Sequence, residues 1–261
     1  MKIFEVGVWA VAAALAGAAF GAVNHPAPLD QEKHASYVKF QGGMVLPKDN
    51  GRRVLVWDAT GRAGAAVASF TNTVMRLAFI PTAVRTNAFE GCAYRAAKAA
   101  KAAKAGGRYP SVIVVSDAGA DLPALTAYPE EAISCVNVGA LGGADKATVE
   151  KRIEKELHRA FGFAMGGYSF TRTACVMDVV YSTDELDANP AVILSPMRLV
   201  GVKRAADKLG LTVMRPVLYS QAVRQGWAPA PTNDRQKVIW EKAHEIPKTP
   251  MNIRFDPKKG R

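Results

Sequence analysis

Six consecutive residues constrain this chain most. Ser111–Ser116 (SVIVVS) is a short, uninterrupted β-branched apolar run with no polar face, so it must be covered on both sides. A second run, Arg53-Val54-Leu55-Val56-Trp57-Asp58, ends at Thr60-Gly61 and has the same character. Residues 63 to 79 between them suit a helix that stops before Pro81, Thr82–Arg85 suits a short strand, and residues 88 to 105 suit a second helix closed by Gly106-Gly107. Ala132–Val138 reads as a further strand, followed by a glycine-rich turn and a long helix from Lys146 to Phe163. Strands alternating with helices predict an α/β (α+β) fold: a mixed, mostly parallel sheet with packed helices, followed by a mostly helical C-terminal part. That part has helices near 196 to 209 and from Asp234 to His244, the latter marked at its start by Thr232-Asn233.

The N-terminus limits the compartment. Val6–Phe20 is the longest apolar run, preceded by Lys2 and followed by small residues. It falls short of the roughly 20 residues of a membrane span. It suits a cleaved secretory signal over residues 1–22, with small-x-small options at Ala16-Gly17-Ala18 or Ala19-Phe20-Gly21; an uncleaved anchor is the alternative. The expectation is therefore a secreted, periplasmic or cell-envelope protein. Behind the signal come an irregular lead-in (23–50), an α/β subdomain (51–165), a C-terminal subdomain (166–245) and an extended basic tail (246–261). Cys92, Cys135 and Cys175 are too few to carry the fold, and suit either buried thiols or one disulfide with one thiol left over.

The chain has 34 Lys+Arg against 23 Asp+Glu, a formal charge of +11, which points to anionic surroundings. Lys98, Lys101 and Lys104 form, with Arg95, a basic ridge on an alanine-rich helix; it is either a solvated face or a patch for an anionic polymer. No aromatic-interleaved basic groove accompanies it, so nucleic acid is not among the expected partners. Gly139–Asp145 (GALGGAD) lacks the Lys-Ser/Thr of a phosphate loop. His25, His34 and His244 are scattered, and His158 stands one helical turn after Glu154, an arrangement that suits a surface i,i+4 contact.

The most informative stretch is Lys155-Glu156-Leu157-His158-Arg159-Ala160-Phe161-Gly162-Phe163-Ala164-Met165. Its spacing resembles the H-E-x-x-H-x-x-G-x-x-H signature of the metzincin zinc peptidases, in which three His bind zinc and the Glu activates a zinc-bound water. The resemblance implies that Glu156 matches the general base and Gly162 the glycine that turns the chain out of the helix. The three ligand positions hold Lys155, Arg159 and Met165. Downstream, Cys175-Val176-Met177-Asp178 looks like the methionine turn of the archaemetzincin branch, with Met177 further from the motif than in that branch and the branch's run of cysteines incomplete. The same resemblance implies that Ser134, Val136 and Val138 lie on an edge strand that holds an extended peptide, and that Lys155 and Arg159 line a cleft suited to an acidic peptide or anionic polymer.

Ammonium and guanidinium groups have no lone pair to give a metal, and a thioether is a poor zinc ligand. The expectation is a metzincin-like domain without metal or other cofactor: an exported, non-catalytic protein binding an extended peptide or anionic polymer. Two alternatives stay open, a divergent hydrolase using Glu156 with His158 or Asp178, and a basic cell-envelope structural protein. A plainer reading of the helix makes Lys155, Glu156 and Arg159 a solvated face opposite Ile153, Leu157, Ala160 and Phe161.

Overall fold

The computed structural model describes residues 42–87, 93–169 and 175–245. The expected signal, most of the lead-in, Cys92 and the basic tail lie outside the described residues. In chain order the elements are β1 (Met44–Val45), β2 (Val54–Asp58), α1 (Gly64–Ala78), β3 (Thr82–Thr86), α2 (Ala93–Ala105), β4 (Ser111–Ser116), β5 (Leu125–Tyr128), β6 (Ile133–Asn137), α3 (Lys146–Ala164), α4 (Thr183–Ala188), α5 (Pro196–Lys208), β7 (Val217–Leu218), α6 (Tyr219–Arg224) and α7 (Asp234–Glu245). They fall into two compact units, residues 46–216 and, among the described residues, 42–45 with 217–245.

The larger unit holds a five-stranded sheet in the order β3-β2-β4-β6-β5, parallel except for β5, which runs antiparallel to β6. Every residue of β2, β4 and β6 is buried, as their unbroken apolar runs require. Period-two alternation then divides the core. Val54, Val56, Ile113, Val115 and Val136 pack with Val67, Phe70, Leu157 and Phe161 of α1 and α3. Leu55, Trp57, Val112, Val114, Ile133 and Cys135 pack with Ala96, Ala97 and Ala100 of α2. The alanines of α2 thus supply the close-packed side of the helix that carries the lysine ridge. Right-handed crossovers explain the split: α1 leads from β2 out to β3 and α2 leads back past β2 to β4, so they cover opposite faces.

The structure corrects three expectations. The strand holding Ser134 and Val136 is not an edge, because β6 is paired on both sides, and Val138 opens the 3-10 turn that follows it. The edge on that side of the sheet is β5, four half-buried residues without alternation that the sequence does not mark as a strand; β3 forms the other edge. No boundary between compact units falls at 165/166. Met177, Leu186, Leu194, Val202, Ala206 and Leu211 share one core with Leu157 and Phe161, so the chain up to 216 belongs with the sheet. Finally, Met44–Val45, expected within an irregular lead-in, pair antiparallel with Val217–Leu218.

In the smaller unit the Tyr219 hydroxyl donates to the Pro229 carbonyl at 3.0 Å, and Gln236 Nε2 donates to the Gly42 carbonyl at 3.0 Å. Asn233 Oδ1 accepts the Gln236 N–H at 3.0 Å, which starts α7 where the sequence places it. Among the described residues no helix is long and apolar enough to cross a membrane.

Candidate functional site

The site is built on α3. Asp145 starts it by accepting the N–H groups of Ala147 and Thr148 at 2.9 and 3.1 Å. Its apolar stripe (Ile153, Leu157, Ala160, Phe161, Ala164) faces the core, and Ser134 Oγ of β6 donates to the Ala160 carbonyl at 2.9 Å. The opposite side is not a solvated face. Lys155, Glu156 and Arg159 expose 1%, 2% and 7% of their surface, and Arg152 and His158 are buried as well. Amphipathic periodicity fails here because α4 engages Arg152 and Lys155, Arg159 pairs with Glu156, and His158 packs on Phe70.

What these charges do is visible atom by atom. Arg152 grips Asp187 of α4 with Nε at 3.0 Å and Nη2 at 2.6 Å, while Nη1 donates to the carbonyls of Leu141 at 3.0 Å and Gly142 at 2.6 Å. Lys155 Nζ donates to the carbonyls of Leu186 and Asn189, both at 2.6 Å. A six-residue helix leaves its last carbonyls without intrahelical partners, and this ammonium satisfies that of Leu186 together with the carbonyl of the C-cap residue Asn189. Burial pushes the Lys155 ammonium below its usual range, Lys151 adds to that, and Asp187 opposes it. The Asp187 carboxyl is held below its usual range, chiefly by its hydrogen bond from Arg152.

One turn on, Arg159 Nη1 meets Glu156 Oε1 at 3.1 Å. Glu156 Oε2 and Arg159 Nε are buried and have no hydrogen-bond partner among the described residues. Burial raises the Glu156 carboxyl above its ordinary range, with Arg159 pulling the other way. His158 points elsewhere: its ring stands edge-on to Phe70 at 4.9 Å, and burial lowers it to about 4. The expected Glu154–His158 surface contact is absent, because Glu154 accepts the Ser69 hydroxyl at 2.6 Å while His158 is turned into the core. Glu156 and His158, two residues apart on a helix, do not face one another, so the structure does not bring them together as a catalytic pair.

Gly162 does not turn the chain. The helix runs through it to Ala164, Met165 sits at the C-terminal end, and the reversal falls at Gly166, whose φ of 70° is the left-handed conformation glycine tolerates. Gly162 is required for contact instead: a Cβ there would lie 2.4 Å from Met177 Sδ and 3.0 Å from Met177 Cε. Met177 is buried beneath this end of α3, within a turn closed by the Asp178 N–H on the Cys175 carbonyl at 3.0 Å. Cys175 Sγ accepts the Ser195 N–H at 3.3 Å, and burial raises the Cys135 thiol to about 12. Beside Gly162, Met165 and Met177 lies a cavity of about 250 Å³ that reaches the first turns of α5.

These residues do not fit zinc. The Lys155 ammonium is committed to main-chain carbonyls, the Arg159 guanidinium to Glu156, and the Met165 thioether is too soft a donor. Among the described residues no group of three or more His, Cys, Asp or Glu is placed to hold a metal. The lysine ridge is also partly occupied, since Lys101 bridges to Glu131 at 2.8 Å and Lys104 Nζ donates to the Glu131 carbonyl. The residues that the sequence reading misses are Arg152, Leu186, Asp187 and Asn189. Only the acidic Thr183-Asp184-Glu185 start marks α4 in the sequence, and nothing there pairs it with α3.

No family model and no curated protein matches the chain. Among solved structures it is similar to archaemetzincin from Methanopyrus kandleri, with a TM-score of 0.49 and 18% identity over 61% of this chain and 98% of that one. It is also similar to a zinc-dependent peptidase from Methanocorpusculum labreanum, with a TM-score of 0.44 and 19% identity over 57% and 98% of the two chains. Archaemetzincin from Archaeoglobus fulgidus gives a TM-score of 0.42 and 14% identity over 57% and 99%.

Proposed function

We propose that this chain is an exported, non-catalytic protein that binds extended peptides on a fold resembling zinc peptidases. The observation that supports the non-catalytic reading is the use made of Lys155 and Arg159. At the positions that the motif resemblance matches to metal ligands, one cation caps α4 and the other pairs with Glu156, the carboxylate matched to the general base. A divergent hydrolase using Glu156 is disfavoured, because its carboxyl is 2% exposed and paired with Arg159.

Peptide binding is supported by the sheet edge. The Asn137 N–H bonds the Ala124 carbonyl at 2.8 Å, and the register pairs Leu125 with Val136. In an antiparallel ladder this directs the main-chain groups of Leu125 and Ala127 away from β6, where a peptide strand can add. Lys155 and Arg159 do not line a cleft, so they give no preference for acidic ligands.

The test uses untagged protein from zinc-supplemented cells. Elemental analysis is expected to find far less than one zinc per chain, and a mixture of internally quenched peptides is expected to stay uncut. One zinc per chain together with chelator-sensitive cleavage would overturn the reading. Export is checked by N-terminal sequencing of the protein recovered outside the cytoplasm. A start just after Ala18 or Gly21 supports it, and an intact Met1 in the soluble cytoplasmic fraction refutes it.

A further inference from the structure

We infer that the edge strand β5 takes extended peptides that carry basic residues on either side of a short uncharged segment. This rests on the peptide-binding reading and deepens it by naming the ligand's charge. The main-chain groups of Leu125 and Ala127 that face away from β6 have no hydrogen-bond partner among the described residues. Leu125–Tyr128 has no charged residue, proline or bulge to keep another strand from pairing, whereas the opposite edge, β3, carries Arg85 within the strand. An edge left unguarded in this way invites a strand.

The charge around this edge selects the occupant. In a chain of formal net charge +11, the stretch from Tyr109 to Asp145 contains no Lys, Arg or His, yet it carries Asp117, Asp121, Glu130, Glu131 and Asp145. Two of these carboxylates stand free beside β5. Asn137 Nδ2, at the end of β6, donates to the Leu122 carbonyl at 3.1 Å, which fixes Asp121 just before the strand. Glu130 follows the strand in a 3-10 turn. Both are exposed, and among the described residues neither enters an ion pair, whereas Glu131 meets Lys101 and Asp117 meets Arg62. Lys104 is committed to the Glu131 carbonyl. A second copy adding its own β5 antiparallel would bring Asp121 of one chain toward Glu130 of the other, and like charges oppose that pairing. Basic residues on a peptide meet the same carboxylates with opposite sign. Four residues at ~3.4 Å each make β5 about 10 Å long, so about five uncharged residues separate the two bases.

The probes are dye-labelled heptapeptides, Lys-Ser-Val-Thr-Val-Ser-Lys and its counterparts with Gln or Glu at both ends, read by fluorescence anisotropy at low salt. Their symmetry lets them add in either direction. The Lys probe is expected to bind about fivefold more tightly than the Gln probe, and the Glu probe most weakly. The overall positive charge of the chain acts the opposite way, so non-specific attraction does not produce this order. Asp121→Asn with Glu130→Gln is expected to remove the preference while the Gln probe's affinity and the melting temperature hold. Ala127→Pro, which removes an outward N–H of β5, is expected to weaken all three probes, with circular dichroism confirming the fold of each variant. Equal binding of the Lys and Gln probes, or a preference that survives the double variant, overturns the inference; if Ala127→Pro still weakens the probes, peptide binding at the sheet edge stands. A dimer that Ala127→Pro dissociates makes a second copy the occupant and overturns it too. If no probe binds wild type, the peptide-binding reading falls with it.

Discussion

Replacing Lys155 by Met tests the central structural claim, that this buried ammonium holds α4. Methionine keeps the length of the side chain and suits a buried site, so the main loss is the donor. Two carbonyls, of Leu186 and Asn189, each lose a partner at 2.6 Å. A buried acceptor left without a partner costs about 1–3 kcal/mol, giving roughly 2–6 kcal/mol for the pair. Against this, the ammonium no longer has to be taken out of water, a penalty of several kcal/mol that the native contacts offset. The net destabilisation is expected at about 2–4 kcal/mol, or roughly 5–15 °C in Tm for a unit of this size. Urea unfolding at pH 7 measures it as a lower midpoint at constant slope, with Lys151→Met as the exposed control, expected within about 0.5 kcal/mol of wild type. Amide hydrogen exchange should show α4 opening before the sheet in Lys155→Met. Equal midpoints for the two variants would refute the reasoning.

Two further outcomes follow from the same helix. His158 titrates at about 4 when folded against an ordinary 6.5, so the unfolded chain binds its proton first; stability rises with pH between about 4 and 6.5 and falls as pH drops through that window. The difference corresponds to about 3 kcal/mol, and His158→Leu should flatten the urea midpoint against pH by that amount, whereas equal slopes would count against a buried neutral imidazole. Gly162→Ala forces a Cβ to within 2.4 Å of Met177 Sδ and is expected to cost about 1–2 kcal/mol despite alanine's better helix propensity. Combining it with Met177→Ala should cost less than the sum of the two single changes, and strict additivity would show that they do not touch.

The strands of the parallel core were legible because a run such as Ser111–Ser116 has no polar side and admits one kind of place. β5 was not, because four half-buried residues carry no period. The charged side of α3 misled for a different reason. Arg152, Lys155, Glu156 and Arg159 recur as a solvent stripe recurs, and helical periodicity cannot report that residues some thirty positions later engage Arg152 and Lys155 or that Glu156 and Arg159 are buried as a pair. That the chain turns at Gly166 and not at Gly162 is visible only in the backbone, where Gly166 has a positive φ and the helix runs on through Gly162. The motif spacing drew attention to the right helix, and the roles within it depended on partners distant in sequence.

The hold of Lys155 on α4 also governs which sequences are reachable from this one. A zinc-binding helix in this register needs metal donors at 155, 159 and 165 together, and no single donor captures the ion. The first step, Lys155→His, already frees the last carbonyls of α4, and Arg159→His leaves the buried Glu156 without its cation. Each of these two changes alone is expected to lower stability, so neither position is free to drift toward a metal donor without a compensating change beside it.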